Sequence, residues 1–213
     1  MNRHIFKTTG AILNELGDRV MHHFANGRLE TLFPPPLERS GTPLPLETII
    51  SGGQTGVDRG ALDAALALDF PASGWCPQDR RAEDGIIPPR YPVIPLAGAG
   101  YPQRTRRNVE NSDGTLILFW GEFTRGQLTG GSGMTRACCL NSRHPRPDLE
   151  IDLHLTSEDN ATEQILTFLN DHHIRRLNVA GPRASKWSQG QMLTARLLIK
   201  VLKICIDSST TAA

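Results

Sequence analysis

The chain has 213 residues, enough for one domain with a sizeable core plus an extension. Charged residues make up 21% and the formal net charge is +1, so no global field draws the protein to nucleic acid or to a membrane surface, and neither is expected as a partner. No apolar run nears the roughly 20 residues that span a bilayer, the N-terminus lacks a signal peptide's apolar core, and Cys76, Cys138, Cys139 and Cys205 form no C-x-x-C or zinc-like spacing with histidine; the expectation is a cytoplasmic protein without a metal centre.

Residues 9–26 carry Ile12, Leu13, Leu16, Val20, Met21 and Phe24 at helical spacing, which predicts an amphipathic helix ended by Gly27. The proline-rich stretches 32–37 and 41–46 cannot continue a helix or join a central strand. Residues 1–46 therefore read as a helix and stiff connector, 47–206 as the domain, and 207–213 as a disordered tail.

The organising stretch is 48–66. A β-branched run, Thr48-Ile49-Ile50, passes through Ser51-Gly52-Gly53-Gln54-Thr55-Gly56-Val57-Asp58-Arg59 into an Ala/Leu-rich segment with helical spacing. Strand, tight loop and helix in that order place unpaired amides and the positive end of a helix dipole at the loop, which suits an anion, with phosphate the leading candidate. Gly52, Gly53 and Gly56 let a ligand approach the backbone, and Gln54 and Thr55 can add side-chain hydrogen bonds. The loop is neither a P-loop nor a G-x-G-x-x-G turn. Asp58 would repel phosphate, so it is expected to meet a sugar hydroxyl or amine, or to bond first-turn amides.

Residues 71–77 read as a short second strand, followed by a long polar loop over 78–89. In it Arg80 and Arg81 can clamp an oxyanion, while Glu83 and Asp84 can hold a sugar, a pterin N–H edge or Mg²⁺; the alternative is a solvated loop with local ion pairs. A helix is predicted over 101–111 with Pro102 in its first turn, presenting Arg104 and Arg107 on one side.

Thr115-Leu116-Ile117-Leu118-Phe119-Trp120 is apolar throughout after its first residue and suits the middle of a parallel sheet. Gly130-Gly131-Ser132-Gly133-Met134-Thr135 then leads into a second Ala/Leu-type helix, and two glycine-rich turns of this kind can converge at the carboxyl edge of the strands. Residues 149–155 alternate as a one-sided strand with His154 exposed, and 161–172 read as a helix. Leu177-Asn178-Val179-Ala180 is a short strand running into Gly181-Pro182-Arg183-Ala184-Ser185-Lys186, where Ser185 is placed as the cap of the last helix.

These residues resemble the molybdenum carrier family, a circularly permuted branch of the Rossmann-like superfamily that includes the Lonely-guy nucleotide hydrolases and the so-called lysine decarboxylases. The resemblance rests on Ile50 to Arg59, Gly74-Trp75-Cys76-Pro77, Arg81-Ala82-Glu83-Asp84-Gly85, Arg104-Thr105 with Asn108-Val109, and Asn178 to Arg183, and covers residues 48–203. It implies binding of the molybdenum cofactor or a nucleoside phosphate at the loops of Gly52 to Arg59 and Gly130 to Thr135. The Lonely-guy motif G-G-x-G-T-x-x-E, aligned on Gly130, Gly131 and Gly133, places Ala137 where its glutamate would stand, and a methyl group cannot move a proton.

The fold expected is a three-layer α/β sandwich around a mainly parallel sheet. The function expected is a binding or carrier protein for a phosphate-bearing cofactor or nucleotide. Its ligand contacts would come from Gly52, Gly53, Gln54, Thr55, Gly56, Asp58, Arg59, Arg81, Glu83, Asp84, Arg104, Gly130, Gly131, Ser132, Gly133, Thr135 and Arg183. One alternative is an N-glycosidic hydrolase with Glu83 or Asp84 as acid/base residue; another is an interaction module whose N-terminal helix recruits a partner. A homo-oligomer is expected in each case.

Overall fold

The computed structural model describes residues 46–121, 130–141 and 145–210. The expected N-terminal helix and most of the connector lie outside the described residues. Everything described belongs to one compact unit spanning 41–213.

Five strands form the central sheet: β1 (Thr48–Ile50), β2 (Ala72–Ser73), β7 (Gly114–Phe119), β8 (Asp148–Asp152) and β9 (Arg176–Ala180). Their order is β2-β1-β9-β7-β8, and every pairing is parallel. The structure is the Rossmann-like α/β arrangement expected from alternating strand and helix patterns. The central place goes to the last strand of the chain, with β7 beside it. β7 is buried along its whole length, as its apolar run requires.

Strand alternation sorts the side chains onto two faces. Ile49, Leu116, Leu118, Ile151, Leu177 and Val179 join one core with helices α1 (Val57–Ala67), α4 (Glu158–Asp171) and α5 (Gly190–Thr210). On the other face Thr115 and Asn178 are buried and bonded to each other at 3.3 Å, beside α2 (Tyr101–Glu110) and α3 (Gly130–Asn141). Gly60 fits α1 against α5, since a Cβ there would lie 2.4 Å from the Gln191 carbonyl. No helix among the described residues is long and apolar enough to cross a membrane.

Three local expectations change. The stretch 71–77 divides at Gly74 into β2 and β3 (Trp75–Pro77), and β3 leaves the main sheet to pair with β6 (Ile94–Leu96). A Cβ on Gly74 would lie 1.8 Å from the Ser51 carbonyl, so only glycine lets the chain pass that close while changing sheets. The loop after β3 contains a hairpin, β4 (Arg81–Ala82) with β5 (Gly85–Ile86). The last helix begins at Gly190 and continues to Thr210, through part of the expected tail; Ser208 and Ser209 bond back to the Ile204 and Cys205 carbonyls and extend it.

Candidate functional site

Because β1, β9 and β7 are adjacent and parallel, the segments that follow them emerge on one edge of the sheet. There the β1–α1 loop (51–56), the β4–β5 hairpin and the β9–α5 segment (181–189) are tied together by side chains.

The Glu83 carboxylate is the knot. One oxygen accepts from the Thr55 hydroxyl and from the Ser185 amide at 3.0 Å; the other accepts from the Ser185 hydroxyl at 2.6 Å and lies 3.4 Å from Arg183 Nε. Thr55 Oγ1 in turn accepts from the Ala184 amide at 3.1 Å. Gln54 Oε1 accepts from the Glu83 and Thr55 amides at 2.9 and 3.0 Å, holding the hairpin over the loop. Burial alone would raise the Glu83 carboxyl, but hydrogen bonds from Ser185 and Thr55 and the Arg183 charge outweigh it and hold it below its ordinary 4.5.

Two arginine–carboxylate pairs flank this knot. Arg59, buried under Tyr91, grips Asp84 with two bonds at 2.6 and 2.8 Å and donates Nε to the Gly53 carbonyl at 3.2 Å. That fork holds Asp84 below its ordinary 3.8. On the other side, Arg104 Nη1 reaches Asp58 at 3.2 Å, with both side chains well buried. Burial pushes Asp58 upward and Arg104 opposes it. The guanidinium lies against Gly52, where a Cβ would fall 1.7 Å from Nη1.

The cradle of free amides expected between Gly52 and Gly56 is therefore largely engaged by the chain itself. Asp58 takes the Gln54 amide at 3.4 Å, the Gln54 side chain takes the Thr55 amide, and the Pro182 carbonyl takes the Val57 amide at 3.3 Å. Asp58 meets an arginine and local amides, and a tight loop with a carboxylate beneath it satisfies its own donors. The side-chain donors of Thr55 in this loop and of Arg183 and Ser185 in the segment after β9 gather instead on the Glu83 carboxylate. Ser185 is not the cap of the last helix, which starts five residues later; its amide and hydroxyl belong to the Glu83 cluster.

Other expected contacts separate. Arg80 donates to the carbonyls of Ile87, Pro88, Tyr91 and Val93 at 2.7–3.2 Å, so it braces the turn after the hairpin and cannot clamp a ligand. Arg81 is exposed and pairs with Asp79 at 2.7 Å. Arg107 turns away from Arg104 and sits 5.4 Å over the Trp75 ring, while Asn108 clamps the Trp75 backbone at 2.7 and 3.1 Å. Gly130, Gly131, Ser132 and Gly133 form the first turn of α3 itself, and Thr135 is buried one turn on. The segment 122–129 leading into them lies outside the described residues, so the strand order alone relates them to Gly52.

Glu83 and Asp84 are both occupied by donors, and among the described residues no three His, Cys, Asp or Glu side chains are gathered to hold a metal. Cys76 is fully buried, its thiol pushed up by burial.

Acid is expected to release the hairpin. Glu83 and Asp84 are both lowered, so their contribution is present above about pH 4.5 and 3.8 and is lost as pH falls through their folded values. Asp58 is raised, so its contribution runs the other way: it is complete below 3.8 and lost as pH rises through its folded value. Hydrogen exchange of residues 81–86 isolates the first effect. Faster exchange at pH 3 than at pH 6, after correction for intrinsic rates, is expected; equal protection would contradict the tether.

A family model described as the circularly permuted YpsA SLOG family matches residues 49–202. A solved structure from Syntrophus aciditrophicus SB, described as "Putative molybdenum carrier protein", is 40% identical in sequence, with a TM-score of 0.68, over 75% of this chain and 95% of its own. No curated protein matches significantly. The match runs from within β1 to within α5 and takes in all the loops of the site, and the chain belongs to the circularly permuted YpsA SLOG family.

Proposed function

We propose that the protein binds and carries a small phosphate-bearing ligand, a nucleotide or the molybdenum cofactor, whose anionic group takes the place of the Glu83 carboxylate. The observation that carries this reading is the Glu83 cluster. Hydroxyls from Thr55 and Ser185, the Ser185 amide and the Arg183 guanidinium converge from two loops on one negatively charged group. Such donors suit phosphate oxygens as well as carboxylate oxygens. The carboxylate belongs to a hairpin outside the central sheet, with the Gln54–Glu83 and Arg59–Asp84 bonds holding its backbone, so turning the Glu83 side chain alone would vacate the seat without disturbing that sheet.

The family relationship supports a ligand-binding role, and the Syntrophus protein's description as a molybdenum carrier supports a molybdenum-related ligand among the candidates. If the molybdenum cofactor binds, Thr55, Arg183 and Ser185 hold its phosphate, and the chemistry of the metal belongs to the cofactor. The same geometry argues against hydrolysis by Glu83 or Asp84. Carboxylates held below their ordinary values by several donors are poor proton donors near neutral pH.

The test is mass spectrometry with elemental analysis of whatever is retained by gently purified protein, backed by thermal shifts with nucleoside phosphates at millimolar concentration. A phosphorus-containing small molecule, or a rise in Tm that Arg183→Ala reduces, is the expected result. Absence of both would overturn the proposal.

A further inference from the structure

A cavity of about 330 Å³ opens beside the carboxyl ends of β7 and β8, floored by Leu153, Leu193 and Leu197. Its size falls near the lower end of small-ligand pockets, about 300–1,000 Å³. Trp120 walls it with an indole 39% exposed, although the five residues before it are all buried. The indole packs against two rings, His154 at 5.1 Å with a 59° tilt and buried Trp187 at 6.0 Å with a 30° tilt, and its exposed part lines the cavity.

The backbone around it is fixed. One Asp152 oxygen accepts from the amides of Gly121 and His154, each at 2.9 Å, so the residues after both strands are held by one carboxylate. The rim is polar, with the Arg196–Glu158 ion pair and the hydroxyls of Thr156 and Ser157. A rigid aromatic wall, an aliphatic floor and a rim of donors and acceptors match one ligand chemistry best: a flat ring whose faces are apolar and whose edge is polar. The exposed part of the indole suits a flat apolar face, which neither an alkyl chain nor a hydroxyl-covered sugar ring presents.

We propose that this cavity is a binding site for a planar nitrogen heterocycle, a purine or a pterin. Trp187 connects it to the Glu83 cluster. It stands two residues after Ser185, whose amide and hydroxyl bond Glu83, and its ring touches that of Trp120. The ring would therefore belong to the same molecule as the anion, a claim that rests on the reading in the previous subsection; the ring site itself does not.

Isothermal titration with ring compounds lacking phosphate (adenosine, guanosine, neopterin), alongside pyrophosphate as an anion lacking a ring, separates the two. At least one ring compound is expected to bind the full-length protein. Trp120→Ala should weaken it about tenfold or more, from the loss of one stacking partner. Trp120→Phe, which keeps a flat face, should recover most of that loss, and pyrophosphate binding should be the same in all three proteins. Circular dichroism checks that the variants fold. If no ring compound binds below about 5 mM, or if Trp120→Ala leaves ring affinity unchanged, the proposal is overturned. Ring binding that persists while pyrophosphate fails supports the cavity and removes the Glu83 reading instead.

Discussion

Replacing Asp58 by asparagine is expected to cost about 1–3 kcal/mol of folding stability, less than the usual loss for one side of a buried ion pair because burial already disfavours the Asp58 charge. Asp58 is 4% and Arg104 14% exposed, and their 3.2 Å contact joins α1 to α2 beneath the β1–α1 loop. The amide has the carboxylate's shape and no charge, so the Arg104 guanidinium stays buried against Gly52 without a counter-ion. Arg104 Nε already has no hydrogen-bond partner among the described residues, so little else there can take up the charge. Asp58→Asn combined with Arg104→Met should recover more than half of the loss, because the double variant buries no unpaired charge. Urea unfolding of the two single variants and the double measures this. A single variant within 1 kcal/mol of the parent would show that the pair contributes little to holding the loop.

The second large effect is steric. Gly56 precedes α1 at φ 80 and ψ −130, a conformation essentially closed to residues with a side chain. A Cβ there would fall 2.5 Å from the Pro182 carbonyl and 2.9 Å from the Ala184 amide. Both contacts are backbone of the segment that carries Arg183 and Ser185, so the clash cannot be relieved by turning a side chain. Gly56→Ala should cost about 3 kcal/mol or more, with strain and overpacking adding, and lower Tm by roughly 10 °C for a chain of this size. Gly98→Ala is the control. Gly98 also has positive φ, 67, but nothing lies within 4 Å of its Cβ position, so only about 1 kcal/mol is expected. Equal losses at the two positions would mean that the approach to Pro182 is not a constraint.

Local elements were legible in the sequence where periodicity is local. The β-branched run at Thr48, the apolar run from Leu116, and the Leu197, Leu198, Val201, Leu202 stripe became a strand, a strand and a helix, because each pattern is satisfied within a few residues. Hairpin β4–β5 has no such signal, since two-residue strands carry no alternation. The central position of β9 was equally hidden: five residues of strand pattern do not tell which neighbours they pair with.

In the site, residue types were legible and their partners were not. Arg59 and Asp84 are 25 residues apart, Arg104 and Asp58 are 46 apart, and Glu83 reaches Ser185 across 102 residues. Charges read singly look available to a ligand; folded, each arginine near Gly52 meets a carboxylate of the chain. Ser185 reads as a helix cap because it is a small polar residue before an apolar stripe, yet the turn over Arg183 to Trp187 delays the helix to Gly190. Trp120 does carry a signal. A tryptophan at the end of a fully apolar strand leaves the core where ligands of α/β sheets commonly bind.

The central claim is that the Glu83 carboxylate sits where a ligand's anionic group belongs. Titration calorimetry of pyrophosphate against the parent protein and Glu83→Ala tests it most directly. A tethered carboxylate in the seat lowers the competent fraction, so its removal should tighten pyrophosphate binding by about tenfold while lowering the Tm of the unliganded protein. Tighter binding from a less stable protein is the result this account requires. Pyrophosphate that binds neither protein, or that binds Glu83→Ala no better than the parent, would contradict it.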